Sequence, residues 1–435
     1  MKTKDLVNRV RQNKLFADSF WALFGNVMSK GLSLLAAILV ARFLGKEAYG
    51  EYGMIKNTLV YIAVFSTFGL GFTATKFVSQ YKDVAPERLR SLINSAVLIS
   101  LAFSGLMALL VLVFARPLAV YLEDPSLTTT LRYTSVVILF NSLASVQIGI
   151  LAGLKKFRET AKINIEVGVI TFIFSVVLTY YYALNGAVIA LLITNVANCL
   201  LNAILLKSSL TSDIGGSRLL LGDLKSLVKF SAPIALQESS YSVTFWASNL
   251  ILVKMADYGQ LGLHSAATQW TAIILFIPSV LQNVMLSYLS ESASLDKSSN
   301  QHAMLKHMLM INFTATFIPF LIVLAISPFI VSIYGDSYFD LPLVLNVAMA
   351  ATIIRCMVQV FIQEFIALGK TWTLCGIRLS RDVLSLILTA VLIMHLKDNA
   401  AFLYNLSFLI ASLLCLILLW TIYNKTYNNK LQNAL

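Results

Sequence analysis

Long runs of apolar residues recur along the whole chain, separated by short polar stretches. Each run has about 20 mostly apolar residues, the length that an α-helix needs to cross a hydrocarbon layer of about 30 Å. A transmembrane strand would instead show about ten residues of alternating polarity. The pattern therefore predicts an all-α integral membrane protein with spans at residues 19–41, 54–75, 92–115, 133–153, 163–182, 187–206, 230–253, 266–289, 308–333, 342–368, 374–396 and 401–423.

The longest polar stretch lies in the middle of the chain and divides these twelve spans into two sets of six. We therefore predict a polar N-terminal segment at 1–18, an N-lobe at 19–206, a linker at 207–229, a C-lobe at 230–423 and a polar tail at 424–435. Because both sets begin on the same side of the membrane, the lobes should be related by a pseudo-two-fold axis normal to it.

The two halves share one short sequence echo. Ile38–Val40 stands before a turn at Gly45–Gly50, and Ile251–Val253 stands before a second turn at Gly259–Gly262. Three aliphatic residues alone would match by chance, but both triplets end the first span of their half. The echo therefore supports the interpretation of two repeated lobes.

Charge agrees with a membrane location and predicts an orientation. The 435 residues are 58% hydrophobic and only 12% charged, whereas a soluble domain has about 25% charged residues. With the N-terminus in the cytoplasm, the inner segments carry 22 Lys and Arg against 9 Asp and Glu, as the positive-inside rule requires. We therefore expect both termini in the cytoplasm. This basic inner face also explains the net charge of +12, so nucleic acid is not an expected partner.

The sequence contains no motif for a metal, a cofactor or nucleotide hydrolysis. The four cysteines lie in apolar runs and show neither CxxC nor Cys/His spacing. Residues 369–371 (GKT) resemble the end of a phosphate-binding loop, but the first glycine of that pattern would have to stand at Glu364. Glu364 itself is expected near the inner boundary, as an ordinary interfacial charge.

No extramembrane segment is long enough for a catalytic domain, so we predict that the protein is not an enzyme.

Two basic residues near the middle of spans are the strongest candidates for a substrate site. Lys30 lies eleven residues after Ser19, about 16 Å into span one, with Asn26 one turn below it. Arg355 is similarly central in span ten, and Gln359 continues its face. A charge in mid-membrane costs about 2.5–3.5 kcal/mol on insertion scales and usually faces a cavity or a partner. We predict that these four side chains bind an anionic substrate, most naturally a phosphate or pyrophosphate.

Each of these charges also has a structural explanation. Lys30 and Arg355 could each pair with a buried carboxylate or a helix carbonyl and only hold the helix bundle together. Glu238, about 12 Å into span seven, could carry a proton for ion coupling, or it could be a static counter-ion to one of those cations. Arg378 and Arg381 stand at the start of span eleven, which favours snorkelling of both side chains to the inner surface.

Short motifs lie at the ends of several predicted spans. They are ARFLG at 41–45 followed by YGEY at 49–52, FGLG at 68–71, GLKKF at 153–157, YGD at 334–336 and GK at 369–370. Together they resemble the loops of the polysaccharide-biosynthesis membrane proteins. These are the O-antigen and capsule flippases of the multidrug/oligosaccharidyl-lipid/polysaccharide exporter superfamily.

The resemblance implies a V-shaped pair of six-helix bundles that alternately open a central, often cationic cavity to either side. It implies a flippase in the bacterial inner (cytoplasmic) membrane, surrounded by membrane lipids. Its substrate would be an oligosaccharide linked through pyrophosphate to a polyprenol such as undecaprenol, moved from the inner to the outer leaflet. A proton or sodium gradient is expected to drive it, and a glycan polymerase is a candidate partner.

Two other functions remain as alternatives at this stage. A cation-coupled multidrug exporter of the same superfamily would be expected to use acidic rather than basic midplane groups. A membrane-embedded glycan polymerase would need a larger outer loop for its active site than any outer segment of this sequence supplies.

Overall fold

The chain is helical throughout the part that the computed structural model describes, apart from short turns. That part is residues 2–81, 86–210, 221–272, 274–275, 278, 298–367, 371–396 and 399–432. The helices are α1 (Lys2–Thr67), α2 (Leu70–Tyr81), α3 (Pro86–Val113), α4 (Ala115–Tyr121), α5 (Leu127–Gly153), α6 (Phe157–Ser209), α7 (Leu221–Met255), α8 (258–272), α9 (Ser298–Tyr334), α10 (Leu341–Ala367), α11 (Thr371–Leu396) and α12 (Ala400–Gln432). A 3₁₀ turn at Asp336–Tyr338 follows α9.

Two of the helices are each interrupted by one residue with non-helical backbone angles. Gly45 has φ 72° and ψ 170° inside α1, and Ala183 has φ 47° and ψ −130° inside α6. Among the described residues, eight helices are long and apolar enough to cross a membrane, and these two are among them. Because α1 and α6 each supply two predicted spans, the eight helices account for ten of the twelve. The predicted all-α membrane fold is confirmed.

The remaining two predicted spans fall in α7 and α8. The span at 230–253 lies within α7. Only the beginning of the span at 266–289 is described, because α8 is described as far as residue 272, and most of the residues that follow lie outside the described part of the chain.

The second span lies closer to the N-terminus than predicted. The sequence places it at residues 54–75, whereas the helix begins directly after Gly45 and ends at Thr67. Phe68 and Gly69 break the helix, with φ values of 48° and 65°. Hydropathy missed the beginning of this helix because several polar residues stand in its first turns.

Contacts divide the chain into two compact units. Unit 1 comprises Met1–Leu44 and Met54–Trp246, and unit 2 comprises Gly45–Gly53 and Ala247–Leu435. Unit 2 therefore includes a short piece of α1, although the chain on both sides of that piece belongs to unit 1. We call Gly45–Gly53 the strap.

Helix α5 is the central helix of unit 1 and contacts α2, α3, α4 and α6. Its contact with α2 is a direct approach of two backbones. A Cβ built on Gly149 would lie 2.1 Å from the carbonyl oxygen of Gly71, and the Thr75 hydroxyl donates a hydrogen bond to the Gly149 carbonyl at 2.9 Å. In lipid, helices associate by close packing rather than by exclusion of water, so small residues at a crossing stabilise it.

Helix α10 is the central helix of unit 2 and contacts α9, α11 and α12. Its C-terminal half is packed in an apolar cluster that includes Phe361 and Phe365 of α10 and Leu419 and Tyr423 of α12. Because α10 is covered on most sides, its polar residues are held at defined positions between neighbouring helices.

Candidate functional site

Lys30 and Asn26 lie on α1 in unit 1, and both side chains are exposed. The Asn26 Oδ1 atom accepts a hydrogen bond from Asn164 Nδ2 of α6, at 3.4 Å. The two helices approach closely one residue earlier, where a Cβ on Gly25 would lie 2.7 Å from the Ala161 Cβ. The helix contact therefore positions Asn26, while Lys30 stands one turn further along α1 on an open surface.

Arg355 and Gln359 lie on α10 in unit 2, and both are half-buried. Thr352, one turn before Arg355, is buried and donates a hydrogen bond to the Ala348 carbonyl at 2.8 Å. Arg355 and Gln359 thus lie on the partly open edge of a helix that is otherwise covered.

The predicted binding residues are therefore distributed over both units. Lys30 and Asn26 belong to unit 1, and Arg355 and Gln359 belong to unit 2. Glu238 lies in α7 within unit 1, but its side chain is outside the described part of the chain. Its assignment as the ion-coupling residue stays a prediction.

Polar side chains of α7 near Glu238 make contacts inside unit 1. The Ser231 hydroxyl lies 2.7 Å from the Thr73 hydroxyl of α2, and both residues are buried. Further along α7, the indole N–H of Trp246 donates to the Thr58 hydroxyl at 3.1 Å. Helix α7 is thus joined to two other helices of unit 1 by hydrogen bonds that replace contact with water.

The structure adds a third cation, Lys56, which the predicted span boundaries concealed. The sequence placed the start of span two at Met54, so that Lys56 stood at its outer edge. The helix begins directly after Gly45, which places Lys56 eleven residues, or about 16 Å, along it. Recognising Gly45 as a helix-breaking glycine would have located Lys56 from the sequence.

The Lys56 side chain is half-buried. Within the part of the chain that the structure describes, its ammonium group takes part in neither a hydrogen bond nor an ion pair. A lysine well inside a spanning helix is costly unless it faces a cavity or an anionic partner. Lys56 therefore joins Lys30 and Arg355 as a candidate for anion binding.

Two charged residues expected at the inner membrane surface are buried instead. Arg381 is 7% exposed, and its Nε and Nη2 atoms both donate to Asp382 Oδ1, with Nε at 2.8 Å. Glu364 of α10 is 0% exposed. The prediction that Arg381 snorkels to the inner surface is wrong, and Glu364 is enclosed by protein rather than exposed as an ordinary interfacial charge. Its depth in the membrane stays a prediction. Neighbouring helices cover both positions, and Asp382 supplies Arg381 with a charged partner in place of water.

His264 of α8 lies in a buried polar network of unit 2. Its ring is 4.3 Å from that of Tyr404, and its Nδ1 atom is 3.2 Å from Asn405 Nδ2. The Tyr404 hydroxyl donates to Asn249 Oδ1 of α7 at 3.3 Å. In the described residues, no three His, Cys, Asp or Glu side chains are grouped so that they could hold a metal ion.

Comparison with known proteins places the chain in a family. Residues 15–293 match the family model described as polysaccharide biosynthesis protein, and this match covers well over half of the chain. The chain belongs to the polysaccharide biosynthesis protein family. The resemblance that the loop motifs indicated is therefore confirmed.

Curated relatives of the chain include proteins of glycan export. The chain is 24% identical over 284 residues to the EPS I polysaccharide export inner membrane protein EpsE of Ralstonia solanacearum, covering 61% of each chain. It is 31% identical over 149 residues to the lipid III flippase of Escherichia coli (strain K12), covering 33% of this chain and 34% of the relative. The chain therefore spans less than two thirds of the length of these two relatives.

Two solved structures share the fold over nearly the whole chain. An inward-facing multidrug resistance MATE family transporter of the MOP superfamily superposes with a TM-score of 0.78 at 13% identity, covering 93% of this chain and 96% of the other. The lipid II flippase MurJ in an inward closed conformation superposes with a TM-score of 0.73 at 16% identity, covering 94% and 89%. This family member has the all-α membrane fold of MOP superfamily transporters.

Proposed function

We propose that this protein is a flippase for a polyprenyl-pyrophosphate-linked oligosaccharide, an O-antigen or capsule repeat unit. It moves the substrate from the cytoplasmic to the outer leaflet by alternating access. The observation that carries the proposal is Lys56, a cation inside a spanning helix of a polysaccharide biosynthesis family member with no ion pair among the described residues. A pyrophosphate requires such cations, because it cannot enter hydrocarbon without compensating charge.

The other predicted residues have complementary roles in this proposal. The Arg355 guanidinium binds phosphate oxygens in a fork, whereas Lys30 and Lys56 act as point charges. The Asn26 carbonyl oxygen is held by Asn164, so its amide nitrogen is available to donate to a sugar hydroxyl. Gln359 lies one helical turn after Arg355 in unit 2, and its side-chain amide likewise donates to a sugar hydroxyl.

The proposal extends to the setting of the protein. It lies in the bacterial inner membrane with both termini in the cytoplasm, and a proton or sodium ion bound at Glu238 drives transport. The polyprenyl tail stays among membrane lipids, a glycan polymerase takes up the product, and the protein itself makes and breaks no covalent bond. The MurJ and EpsE comparisons support a flippase in a glycan pathway.

Deletion of the gene tests the proposal directly. We expect loss of one surface glycan and accumulation of its lipid-linked repeat unit on the inner leaflet, which mass spectrometry of extracted lipids detects. The wild-type gene on a plasmid should restore export. An unchanged surface glycan with no accumulated lipid-linked saccharide would rule the flippase out.

A cation-coupled multidrug exporter is the second candidate, because a MATE transporter shares the fold and because Glu364 is a fully buried carboxylate. Ethidium efflux from a drug-sensitive bacterial strain separates the two functions. If the protein is an exporter, cells that express it should expel ethidium, and the Glu364→Gln variant should not. If it is a flippase, cells with and without the protein should accumulate the same amount of ethidium.

A further inference from the structure

The GLKKF motif at 153–157 forms the turn between α5 and α6, and none of its residues belongs to the proposed substrate site. Together with the turn between α2 and α3, it lies on the predicted inner side of unit 1. Residues 76–90 and 153–162 carry eight Lys and Arg against three Asp and Glu. The positive-inside rule accounts for basic loops one at a time, but it does not require two of them to meet.

The end of α5 lies directly against α2. A Cβ built on Gly153 would be 2.7 Å from the Val78 Cβ and 2.9 Å from the Thr75 carbonyl oxygen. Val78 stands about one turn before α2 ends at Tyr81. The glycine that opens the motif therefore lets the ends of the two helices lie side by side.

One apolar cluster of unit 1 holds both turns. Leu89 belongs to this cluster, and Leu154 packs against it. Arg88 directly precedes Leu89 in the chain, and its side chain is exposed. Lys155 directly follows Leu154, and its side chain is exposed as well. Two cations thus stand at the rim of the same cluster.

An aromatic pair holds Arg88. The guanidinium lies over the Tyr81 ring, 4.7 Å from its centroid, and the Tyr81 and Phe77 rings are stacked with an angle of 5° between their planes. A guanidinium stacks through its face and donates hydrogen bonds in its own plane. Tyr81 therefore positions Arg88 without competing for a phosphate group.

Lys155 occupies a backbone position that usually belongs to glycine. Its φ is 62°. Its N–H donates to the Ala152 carbonyl at 3.0 Å, and the Lys156 N–H donates to the Leu151 carbonyl at 3.0 Å. These two bonds form the Schellman motif, whose left-handed residue is most often glycine. A lysine there costs the turn stability, which points to a role for its charge.

The two residues after Lys155 complete the turn. The Lys156 ammonium is 3.8 Å from Glu159 Oε1, so a carboxylate already offsets its charge. Within the described part of the chain, Lys155 forms no ion pair. Phe157 is 38% exposed, as aromatic residues at a membrane interface commonly are.

The length of α5 places this turn at the level of lipid headgroups. The helix has 27 residues, or about 40 Å at 1.5 Å per residue, and the hydrocarbon layer is about 30 Å thick. Its end therefore reaches the headgroup region, where phospholipid phosphates lie. Lys30, Lys56 and Arg355 differ, because they lie inside spanning helices.

We propose that Arg88 and Lys155 bind the phosphate of an anionic phospholipid of the inner leaflet, such as phosphatidylglycerol. The Arg88 guanidinium binds phosphate oxygens as a fork, and the Lys155 ammonium binds them as a point charge. Phe157 lies beside the acyl chains of the same lipid. The proposal does not rest on the proposed function, because this site binds lipid whatever the protein transports.

Native mass spectrometry of the full-length protein tests the proposal. The protein is released from detergent micelles that contain phosphatidylglycerol and phosphatidylcholine in equal amounts, and we expect the wild type to retain phosphatidylglycerol. Arg88→Gln combined with Lys155→Gln should lower the affinity for this lipid by about 10- to 30-fold, because each basic residue near anionic lipid contributes to binding. An unchanged affinity would overturn the proposal.

A second double variant controls for total charge. Lys306→Gln combined with Lys425→Gln removes two positive charges from exposed lysines of unit 2 that are also predicted to be inside. We expect this variant to bind phosphatidylglycerol as the wild type does. Equal losses in the two double variants would show that the lipid follows the total charge, and the site would be refuted.

Lys155→Gly separates the binding role from a structural one. Glycine suits a φ of 62°, so without added lipid this variant should unfold in detergent at the wild-type temperature or higher. Phosphatidylglycerol should raise the unfolding temperature of the wild type and of Lys155→Arg, and it should raise that of Lys155→Gly less. The full increase in Lys155→Gly would exclude Lys155 from the site.

Inorganic pyrophosphate distinguishes a lipid site from a site for a soluble phosphate compound. Because the lipid also contacts the protein through its acyl chains, we expect pyrophosphate to change the unfolding temperature no more than sulfate does at equal ionic strength. Stabilisation by pyrophosphate equal to that by phosphatidylglycerol would assign the two cations to a soluble ligand and would contradict the proposal.

Discussion

At the scale of single residues, the cations in spanning helices decide what this protein can bind. Lys30 is exposed on α1, Lys56 is half-buried in the second half of α1, and Arg355 is half-buried on α10. Arg381 differs from them in exposure, because it is 7% exposed. Its guanidinium binds Asp382. The first three have the exposure that substrate binding requires, and Arg381 does not.

Lys56→Gln should lower surface-glycan export by about 10- to 100-fold, because a hydrogen bond to a charged group contributes about 1.5–3 kcal/mol. Lys56→Arg should retain some of the activity, since it keeps the charge. Lys207→Gln, at an exposed position near the end of α6, is the matched control and should export normally. Wild-type export by Lys56→Gln at equal protein level would remove Lys56 from the site.

Lys30→Ala and Arg355→Ala should each abolish surface-glycan export while leaving the protein level intact, and Lys30→Arg should retain some export. The reason is again the loss of a charge that offsets the pyrophosphate. Immunoblotting of membranes measures the protein level beside the glycan. Full export by the double alanine variant would show that neither residue binds substrate.

At the scale of elements, small residues at crossings let helices pack closely, and an ion pair within α11 offsets a buried charge. The α2–α5 crossing depends on Gly71 and Gly149, and the strap depends on Gly50 and Gly262. Sequence alone marked two of these glycines, Gly50 and Gly71, as members of loop motifs. It did not show that they meet, because their partners are far away along the chain.

Gly149→Ala should destabilise unit 1 by about 1–3 kcal/mol or more, because its Cβ would lie 2.1 Å from the Gly71 carbonyl oxygen and the two backbones would have to separate. Gly105→Ala on α3 is the matched control, since nothing lies within 4 Å of the added Cβ. That change should stabilise by about 0.5–1 kcal/mol through helix propensity. Thermal unfolding in detergent measures both, and equal effects would refute the close crossing.

Asp382→Asn should destabilise the protein by about 3–5 kcal/mol, because it leaves the buried Arg381 guanidinium without a charged partner. Combining it with Arg381→Leu should recover most of the loss, since no buried charge then remains. The unfolding temperature of the two variants is the measurement. A mild effect of Asp382→Asn alone would indicate that Arg381 reaches water after all.

At the scale of the whole molecule, the distribution of basic residues predicts the orientation in the membrane. With 22 Lys and Arg on the segments predicted to be inside, green fluorescent protein fused after Leu435 should fluoresce in cells. Alkaline phosphatase fused at the same point should be inactive, because it requires the periplasm. Active phosphatase at this position would reverse the predicted topology.

The sequence by itself determined that the chain crosses the membrane as helices, and approximately where. Hydropathy over about 20 residues is a local property, so spanning helices can be predicted from it without knowledge of any tertiary contact. The loop motifs likewise led to the polysaccharide biosynthesis family. The start of the second span was missed because polar residues stand in the first turns of that helix.

Only the tertiary structure decided which helix covers a given side chain. It showed that Arg381 and Glu364 are buried and that the strap belongs to unit 2. Each of these results depends on contacts between residues that are distant in sequence, and hydropathy contains no information about such contacts.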